Sequence, residues 1–432
     1  MFLSILNNSG DKFHSNYNFL RNAEKYRTVK FESYSSKNVR NEYDNGEIVV
    51  FFKGVIYNFD KLLEWFNNND NIKSRIKSYT DILVSIYKKH GFEYMMNVVD
   101  GIFSIILLDQ RIIYQESTIY VSRDVYGITP LYTMTPLVDE SIDKSRNTYR
   151  YLSQLSNIDV KRNPFIRGFS TEHAALSEYC AELNEGLNIP YYEINKLPLG
   201  CYHKYTVSNK VSCVWEVHTA PIKTFSFGSC CSVSSSQSKH QIEGNVRNLI
   251  YNSIEKRLRI INNADIVCVI DPYNFESILI ACLINQYLIM NENYNYLNIY
   301  FTECNEYTLY LQGVLNTNKS VFLPKDAILT EHFQQKNDDR RITHFKSLFL
   351  NVKDEPKVEK SLMDIDKELI DSLSLIQDDV DHMAKYEIEY PLLDAMWLKY
   401  YLSIDLSHRS FLIQTAFNYY QFEGKCGLYT LE

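Results

Sequence analysis

Cysteine and histidine are the side chains of this sequence whose spacing is most diagnostic of chemistry. All nine cysteines lie at or beyond Cys180, and no two of them have CxxC spacing. The ten histidines are scattered, without HxxxH spacing or a neighbouring cysteine pattern. Zinc sites and disulfide frameworks depend on such patterns. We therefore expect reduced thiols, no metal site and an intracellular location, with the adjacent Cys230 and Cys231 as incidental thiols.

Glycine is scarce, and this bears on nucleotide chemistry. The 432 residues include 14 glycines and 10 prolines, about half or less of the ordinary usage of roughly 7% and 5%. Many phosphate-binding loops need glycine because the backbone must approach the anion closely. The composition therefore argues against a nucleotide site that is built on a Gly-rich loop.

Charge and hydropathy exclude further classes of protein. The formal net charge is −8, whereas a general nucleic-acid binder needs clustered Lys and Arg. No apolar run approaches the length of a membrane span, and the N-terminus lacks the features of a signal peptide. The 34 tyrosines fit either a protein interface or the codon usage of an AT-rich genome, and composition does not choose between them.

The first half of the chain has the pattern of β-strands with short helices. Apolar β-type runs predict strands at residues 47–52, 101–108 and 117–122, the last two joined by a turn near residues 109–111. Helical spacing of apolar residues predicts a helix at residues 80–94, with Ser78 or Thr80 as N-cap and Gly91 as a stop.

The second half has the pattern of an α/β domain with a parallel sheet. It follows a Ser-rich stretch without periodicity at residues 218–241, which we interpret as a linker. The predicted elements are a helix at 241–258, a strand at 265–270, a helix at 275–289, a strand at 297–302, and helices with gaps from residue 365 onward.

Six short blocks match one family in the correct order. Each block of this chain is given first, followed by the family motif that it resembles: VFFKGVIYN at 50–58 (LVFNGEIYN), SYTDIL at 78–83 (SDTEVL), DGIFS at 100–104 (NGMFA), RDVYGITPLY at 123–132 (RDRFGIKPLY), LPLGCY at 197–202 (LPPGHY) and YPLLD at 390–394 (VPFLD). Through them the chain resembles the glutamine-hydrolysing asparagine synthetases along nearly its whole length.

The resemblance implies two domains. Residues 1–217 would form a class II glutamine amidotransferase domain, an αββα sandwich that releases ammonia in the family. After the linker at 218–241, residues 242–432 would form a shortened α/β synthetase domain of the ATP-pyrophosphatase type, which in the family adenylates aspartate. We interpret Arg123 and Asp124 as a structural ion pair and Asp394 as a helix N-cap.

The amidotransferase positions depart from the family pattern. The family's nucleophile is an N-terminal Cys activated by its own α-amine, and Phe2 occupies that position. The Asn-Gly pair of the family's oxyanion hole corresponds to Lys53 and Gly54, and its substrate-binding Asp corresponds to Tyr79. The family's glutamine-binding loop is not recognisable between residues 10 and 28. We expect glutaminase activity to be lost.

The nucleotide loop departs as well. The family's SGGxDS loop cradles pyrophosphate with backbone N–H groups at a helix N-terminus. Alignment places Pro272, Tyr273 and Asn274 on its first three positions, and proline has no N–H to donate. Glu276 and Ser277 occupy the acidic and serine positions, so Glu276 remains a Mg²⁺ ligand only under an alternative in which ATP still binds. We expect neither ATP nor Mg²⁺ as cofactor.

Our leading functional hypothesis is a pseudoenzyme that keeps the scaffold and serves as a structural or protein-binding component. It would be cytoplasmic, or associated with the virion if the AT-rich genome is that of a large DNA virus, and its partners would be proteins or a second copy. One alternative is a divergent ligase that uses ATP, aspartate and ammonia. Another is an inactive subunit that pairs with an active paralogue.

Overall fold

The computed structural model describes about half of the chain. The described residues are 2–7, 20–25, 30–35, 42–44, 47–70, 76–113, 116–136, 167–185, 190, 192–198, 200–208, 215–221, 237–261, 265–270, 275–291, 297–301, 309, 313, 315, 320–323, 342–345 and 386–404. The chain divides into two compact units, with the main division between Phe225 and Ser226.

The first unit combines antiparallel strands with short helices. Its elements in chain order are β1 (Phe2–Asn7), β2 (Leu20–Lys25), β3 (Lys30–Ser35), β4 (Glu42–Asp44), β5 (Ile48–Ile56), α1 (Phe59–Asp70), α2 (Tyr79–His90), α3 (Phe92–Val98), β6 (Gly101–Ile113), β7 (Glu116–Arg123), β8 (Tyr132–Pro136), β9 (Arg167–Ser170), α4 (His173–Asn184), β10 (Tyr192–Lys196), β11 (Cys201–Ser208) and β12 (Trp215–Pro221).

The described strands of this unit form two antiparallel sheets. One has the order β10-β8-β9-β1-β3-β2, and the other has the order β12-β11-β7-β6-β5-β4. Neighbours along the chain pair in the second sheet, where β5, β6 and β7 follow one another with continuous register over most of their length. The strand β1 instead lies between β3 and β9, which are far apart in sequence.

The strands β5 and β6 are apolar on both faces because each face packs against a different layer. On one face, Val50 and Phe52 join a core with α1, α2 and α3. On the other face, Val49 and Phe51 join a core that includes Phe169 of the first sheet. A further core packs α4 against β8 and β10. Successive strand residues point to opposite faces, so the layering is helix, sheet, sheet, helix, and the predicted mixed α/β fold class is confirmed.

The helix α2 begins where the sequence predicts but ends earlier. Ser78 is the N-cap, and its side chain accepts a hydrogen bond from the Asp81 backbone while Asp81 caps the Ser78 N–H in return. Gly91 ends the helix with φ of +85° and α3 begins at Phe92. The predicted N-cap at Ser78 and stop at Gly91 are therefore confirmed, whereas the extension of the helix to residue 94 was wrong, because a separate helix begins at Phe92.

The predicted turn at residues 109–111 was also wrong, because β6 continues to Ile113 and β7 begins at Glu116. Asp109 lies at a register irregularity of this ladder. Its carboxylate accepts hydrogen bonds from the Arg111 backbone and guanidinium and from the Tyr87 hydroxyl at 2.6 Å. These bonds keep Asp109 and Arg111 in strand conformation, although the sequence pattern predicted a turn there.

The second unit contains a parallel sheet. Its described elements are α5 (Lys239–Leu258), β13 (Asp265–Ile270), α6 (Phe275–Met290), β14 (Leu297–Phe301), β15 (Ser320–Leu323), β16 (Ile342–Phe345), β17 (Tyr386–Glu389), a 3₁₀ turn (Pro391–Leu393) and α7 (Ala395–Leu402). The strand order is β15-β14-β13-β16-β17, with parallel pairing throughout. The predicted elements at 241–258, 265–270, 275–289 and 297–302 are confirmed to within a few residues.

Two other predictions meet the structure only in part. The interpreted linker at 218–241 overlaps regular structure at both ends, because β12 continues to Pro221 and α5 begins at Lys239. Among the described residues after 365, α7 confirms one of the predicted helices, whereas Tyr386–Glu389 form the strand β17, which the sequence did not predict.

Candidate functional site

The strand β5 holds two of the candidate amidotransferase residues, Lys53 and Gly54. Gly54 has φ of +135°, and a Cβ built on it would lie 2.0 Å from the Ile102 carbonyl oxygen of β6. Gly54 pairs with Phe103, and two residues away on the same strand a Cβ on Gly101 would lie 2.2 Å from the Val55 carbonyl oxygen. The two strands approach so closely here that only glycine fits at either position.

Lys53 lies on the face of β5 that packs toward the first sheet. By strand alternation it shares this face with Val49 and Phe51, and its side chain is half-buried. Its register partner on β6 is Ser104, whose hydroxyl donates to the Thr129 and Pro130 carbonyls. An ammonium at this position supplies positive charge and N–H donors but not the amide group of the family's oxyanion hole.

Tyr79 is the first residue of α2 and lies beside the same strand. Its ring centroid is 5.8 Å from that of Phe52 and 5.2 Å from that of Phe59, both in edge-to-face geometry. The ring is part of the packing between the helices and β5. A neutral phenol does not form the ion pair that a carboxylate forms with an ammonium group.

Lys53 and Gly54 are neighbours on β5, whereas Tyr79 packs through Phe52 against the face of this strand opposite to that of Lys53. The structure therefore does not bring Lys53 and Tyr79 together on one face. Phe2 is the first residue of β1 in the other sheet, where it pairs with Ser35. Of the interval between residues 10 and 28, the structure describes β2, which pairs with β3. The other residues of this interval, where the family has its glutamine-binding loop, lie outside the described residues.

The turn after β7 contains a buried carboxylate that the sequence marked only as half of an ion pair. Asp124 is 1% exposed and accepts hydrogen bonds from the N–H groups of Tyr126, Ile128 and Thr129 at 3.0–3.1 Å. Burial raises the pKa of Asp124 to about 6, although these bonds and the nearby Arg123 act in the opposite direction. The carboxylate organises the turn through the backbone.

The candidate nucleotide site of the second unit follows β13. Pro272, Tyr273 and Asn274 lie outside the described residues, whereas Glu276 and Ser277 lie in the first turn of α6. Ser277 is 4% exposed, and Glu276 is half-buried. The strand order places β14 on one side of β13 and β16 on the other. The carboxyl end of β13 is therefore at a topological switch point, where open α/β sheets bind ligands.

Sequence reasoning missed a buried charge cluster near the start of α7. Asp394 is the predicted N-cap, confirmed by its bonds from the Met396 and Trp397 N–H groups at 3.0 and 3.1 Å. The same carboxylate forms ion pairs with Lys256 and with Arg257, which is 2% exposed and also bonds Glu389 at 3.1 Å. Burial alone would raise the pKa of Asp394, but the two cations lower it below its usual range.

The part of the chain that the structure describes contains no cluster of three or more His, Cys, Asp or Glu side chains suited to a metal ion. The four described cysteines, Cys180, Cys201, Cys268 and Cys282, are free thiols. Cys230 and Cys231 lie outside the described residues. No described helix is both long and apolar enough to cross a membrane.

Comparison with known proteins bears on the first unit. Residues 17–215 match the family model of the glutamine amidotransferase domain. This region is similar to glutamine amidotransferase domains. An 81-residue stretch is 37% identical to "Asparagine synthetase [glutamine-hydrolyzing] 1" of Lotus japonicus and 36% identical to "Asparagine synthetase [glutamine-hydrolyzing]" of Brassica oleracea. The stretch is 19% of this chain.

The predicted resemblance to asparagine synthetases is thereby confirmed for the amidotransferase-type domain. The matched stretch spans 12% of the length of each relative. The synthetase-type character of the second unit stays a prediction, which rests on the sequence motifs and on the order of the parallel strands.

Proposed function

We propose that this chain is a non-catalytic relative of the asparagine synthetases that acts by binding other proteins. The proposal rests on the identity and packing of the side chain of Tyr79. A packed aromatic ring, with partners in Phe52 and Phe59, stands where the family has the carboxylate that holds its substrate. Lys53 replaces the oxyanion-hole amide on the adjoining strand, while Gly54, which the fold itself requires, is kept.

The pattern of kept and changed residues supports this function. Gly54, Asn58 and Asp124 all have structural bonds or contacts: Asn58, for example, donates to the Val98 carbonyl and accepts from the Asp100 N–H. Residues that have these structural roles are the same in this chain and in the family motifs. The residues at the family's substrate-binding positions differ. A protein that retains the scaffold without the chemistry most simply serves as a binding component, in the cytoplasm or in a virion.

An assay of glutamine hydrolysis tests the proposal that the chain is not catalytic. The purified full-length chain is incubated with glutamine and released ammonia is measured, with an active glutamine-hydrolysing asparagine synthetase as positive control. We expect no release above that of the heat-denatured chain. A variant with Lys53→Asn and Tyr79→Asp is expected to remain inactive, because neither change supplies a nucleophile. Turnover that depends on Lys53 or Tyr79 would refute the proposal.

A second candidate function is a divergent ligase that uses ATP, aspartate and free ammonia. The observation that favours it is the switch point after β13, where α6 begins with Glu276 and Ser277. Isothermal titration with ATP and Mg²⁺ separates the two functions. The non-catalytic function predicts no saturable heat, and Glu276→Gln leaves that result unchanged. Micromolar binding, with pyrophosphate release on adding aspartate and ammonia, would establish the ligase instead.

The binding half of the proposal is tested in the native source. A tagged chain is cross-linked and its partners are identified by mass spectrometry. We expect a stoichiometric protein partner that survives high-salt washing. Recovery of the chain alone, with a monomeric mass in solution, would contradict a binding role.

A further inference from the structure

The strand β10 lies at one edge of the first sheet among the strands that the structure describes. In an antiparallel pair, alternate residues direct both their N–H and their C=O groups toward the same side. Directly after β10, Leu197 donates its N–H to the carbonyl of Leu131, directly before β8, at 2.9 Å. The register of the two strands leads into this pair. Odd-numbered residues of β10 therefore bond to β8, whereas Tyr192, Ile194 and Lys196 direct their backbone groups toward the outer edge.

The side chain of Asn184, the last residue of α4, covers this edge beside Tyr192. The Tyr192 N–H donates to Oδ1 of Asn184, and Nδ2 of Asn184 donates to the Tyr192 carbonyl, both at 3.0 Å. The same carbonyl also accepts a bond from the Cys180 Sγ at 3.4 Å. One planar amide that bonds both backbone groups of a single residue reproduces the pair of bonds in an antiparallel ladder. Asn184 therefore takes the place of a further strand at this position.

The next residue that faces the outer edge is Ile194, and it has no such cover. No described residue bonds to its N–H or C=O on that side. Its side chain packs against the core that α4 forms with β8 and β10. Backbone groups along an open edge are a template for another strand, and natural proteins block such edges with local features. The Asn184 amide is a feature of this kind.

The residue order of β10 makes its edge self-complementary. If two copies paired in antiparallel fashion about a two-fold axis at Ile194, the two isoleucines would meet. Tyr192 of each copy would face Lys196 of the other, and Glu193 would face Asn195. Both contacts have counterparts within the chain: Lys196 Nζ lies 5.9 Å from the centroid of a tyrosine ring of β8, and the Asn195 amide donates to Glu193 at 2.8 Å. No like charges would lie opposite each other.

We propose that Asn184 is an autoinhibitory cap on this edge, and that the occupant it excludes is β10 of a second copy of the chain. The two-fold pairing puts the backbone of Lys196 of one copy opposite Tyr192 of the other, in the place that the Asn184 amide fills. The amide must therefore leave before the strands can pair, and its bonds to Tyr192 favour the unpaired chain. The cap does not rest on the proposed function, because it concerns association between copies and uses no residue of the candidate sites.

The experiment compares the molar mass of full-length variants by analytical ultracentrifugation over a series of protein concentrations. Asn184→Ala removes the cap, and we expect its mass to rise with concentration to twice that of the unaltered chain. Asn291→Ala is the matched control, because Asn291 follows α6 and its Nδ2 donates to the Tyr287 carbonyl at 2.9 Å. This change removes a comparable asparagine at a helix end without touching β10, so the mass should equal that of the unaltered chain.

Two charge variants test whether the association uses the β10 edge in this register. Asn195 is exposed, so replacing it should not disturb the fold. Added to Asn184→Ala, Asn195→Glu places like charges opposite each other at Glu193 and should shift association to higher concentration. Asn195→Lys places opposite charges there and should shift association to lower concentration. Equal behaviour of the two double variants would overturn the proposal, and so would a folded Asn184→Ala variant with the mass of the unaltered chain.

A more conservative variant keeps the test decisive if the cap is needed for folding. If circular dichroism shows that Asn184→Ala is unfolded, Asn184→Asp replaces it in all comparisons. The carboxylate keeps the acceptor for the Tyr192 N–H and loses the donor for the Tyr192 carbonyl. Association that depends on the charge at position 195 supports the cap. A mass equal to that of the unaltered chain overturns it.

Discussion

Single residues separate the fold of this protein from the chemistry of its relatives. Gly54 is kept because no side chain fits between β5 and β6. In the motif alignment on which the proposed function rests, Lys53 stands in place of an amide and Tyr79 in place of a carboxylate. Neither replacement disturbs the strand or the helix that carries it, since the backbone bonds of both elements are made elsewhere. The proposed loss of catalysis therefore falls at positions that the fold does not require.

Replacing Gly54 with alanine is expected to destabilise the first unit severely. The new Cβ would meet the backbone of Ile102 and Phe103 at 2.0–2.6 Å, and the residue would keep φ of +135°. We expect a loss of more than about 3 kcal/mol in the free energy of unfolding, measured by urea denaturation. Gly244→Ala is the control. It lies within α5 with its nearest contact at 3.9 Å, and it should stabilise the helix by about 0.5–1 kcal/mol.

The buried carboxylate of Asp124 makes the first unit sensitive to pH. Its folded pKa of about 6 lies above the ordinary value of 3.8, so folding favours the protonated form. The favourable contribution is complete below about pH 4 and is lost as the pH rises through 6, a change on the order of 3 kcal/mol. Asp124→Asn, which does not titrate, should remove this dependence.

The measurement is urea unfolding of the unaltered chain and of Asp124→Asn between pH 4.5 and 7.5. Asparagine presents an N–H₂ group toward one of the backbone donors, so we expect a loss of about 1–3 kcal/mol. This loss should be larger at pH 4.5 than at pH 7.5. A difference that stays constant across the range would show that Asp124 keeps an ordinary pKa in the folded chain.

At the scale of elements, local signals predicted where structure begins more reliably than where it ends. Ser78 and Asp81 form the capping box of α2, and the predicted strand at 265–270 agrees with β13. The hairpin turn was misplaced because Asp109 and Arg111 have the composition of a turn. Their mutual ion pair and the bond from Tyr87 on α2 keep them in strand β6 instead, and that helix contact is invisible to a local pattern.

The junction of α5 and α7 provides a test at this scale. Asp394→Ala removes the N-cap of α7 and leaves the buried Arg257 with fewer partners. We expect the free energy of unfolding of the second unit to fall by about 3–5 kcal/mol. The measurement is urea unfolding monitored by far-UV circular dichroism. Glu255→Gln removes the exposed pairing with Arg259 at the same helix end and should cost less than about 1 kcal/mol. Equal losses for the two variants would argue against a buried cluster.

At the scale of the whole molecule, different kinds of observation support the resemblance of each unit to the asparagine synthetases. The amidotransferase-type domain has both a family match and the layered arrangement of two antiparallel sheets. The second unit has a parallel sheet with β13 at its switch point, which supports the synthetase resemblance from topology. The boundaries at residues 217 and 242 stay a prediction. Under the proposed function, the chain keeps the architecture of the first unit and departs from the family at its candidate site.

The sequence by itself determined the family resemblance, most element starts, and the residue types at the candidate sites. These are local properties, since capping, periodicity and motif spacing depend on residues close together in the chain. Only the tertiary structure decided that Asp394 meets Arg257, 137 positions away in the chain, that the Tyr79 ring packs on Phe52, and that Arg123 is enclosed. Burial and long-range pairing arise when layers pack together, and it is packing that turns an ordinary aspartate or arginine into a group whose charge must be balanced.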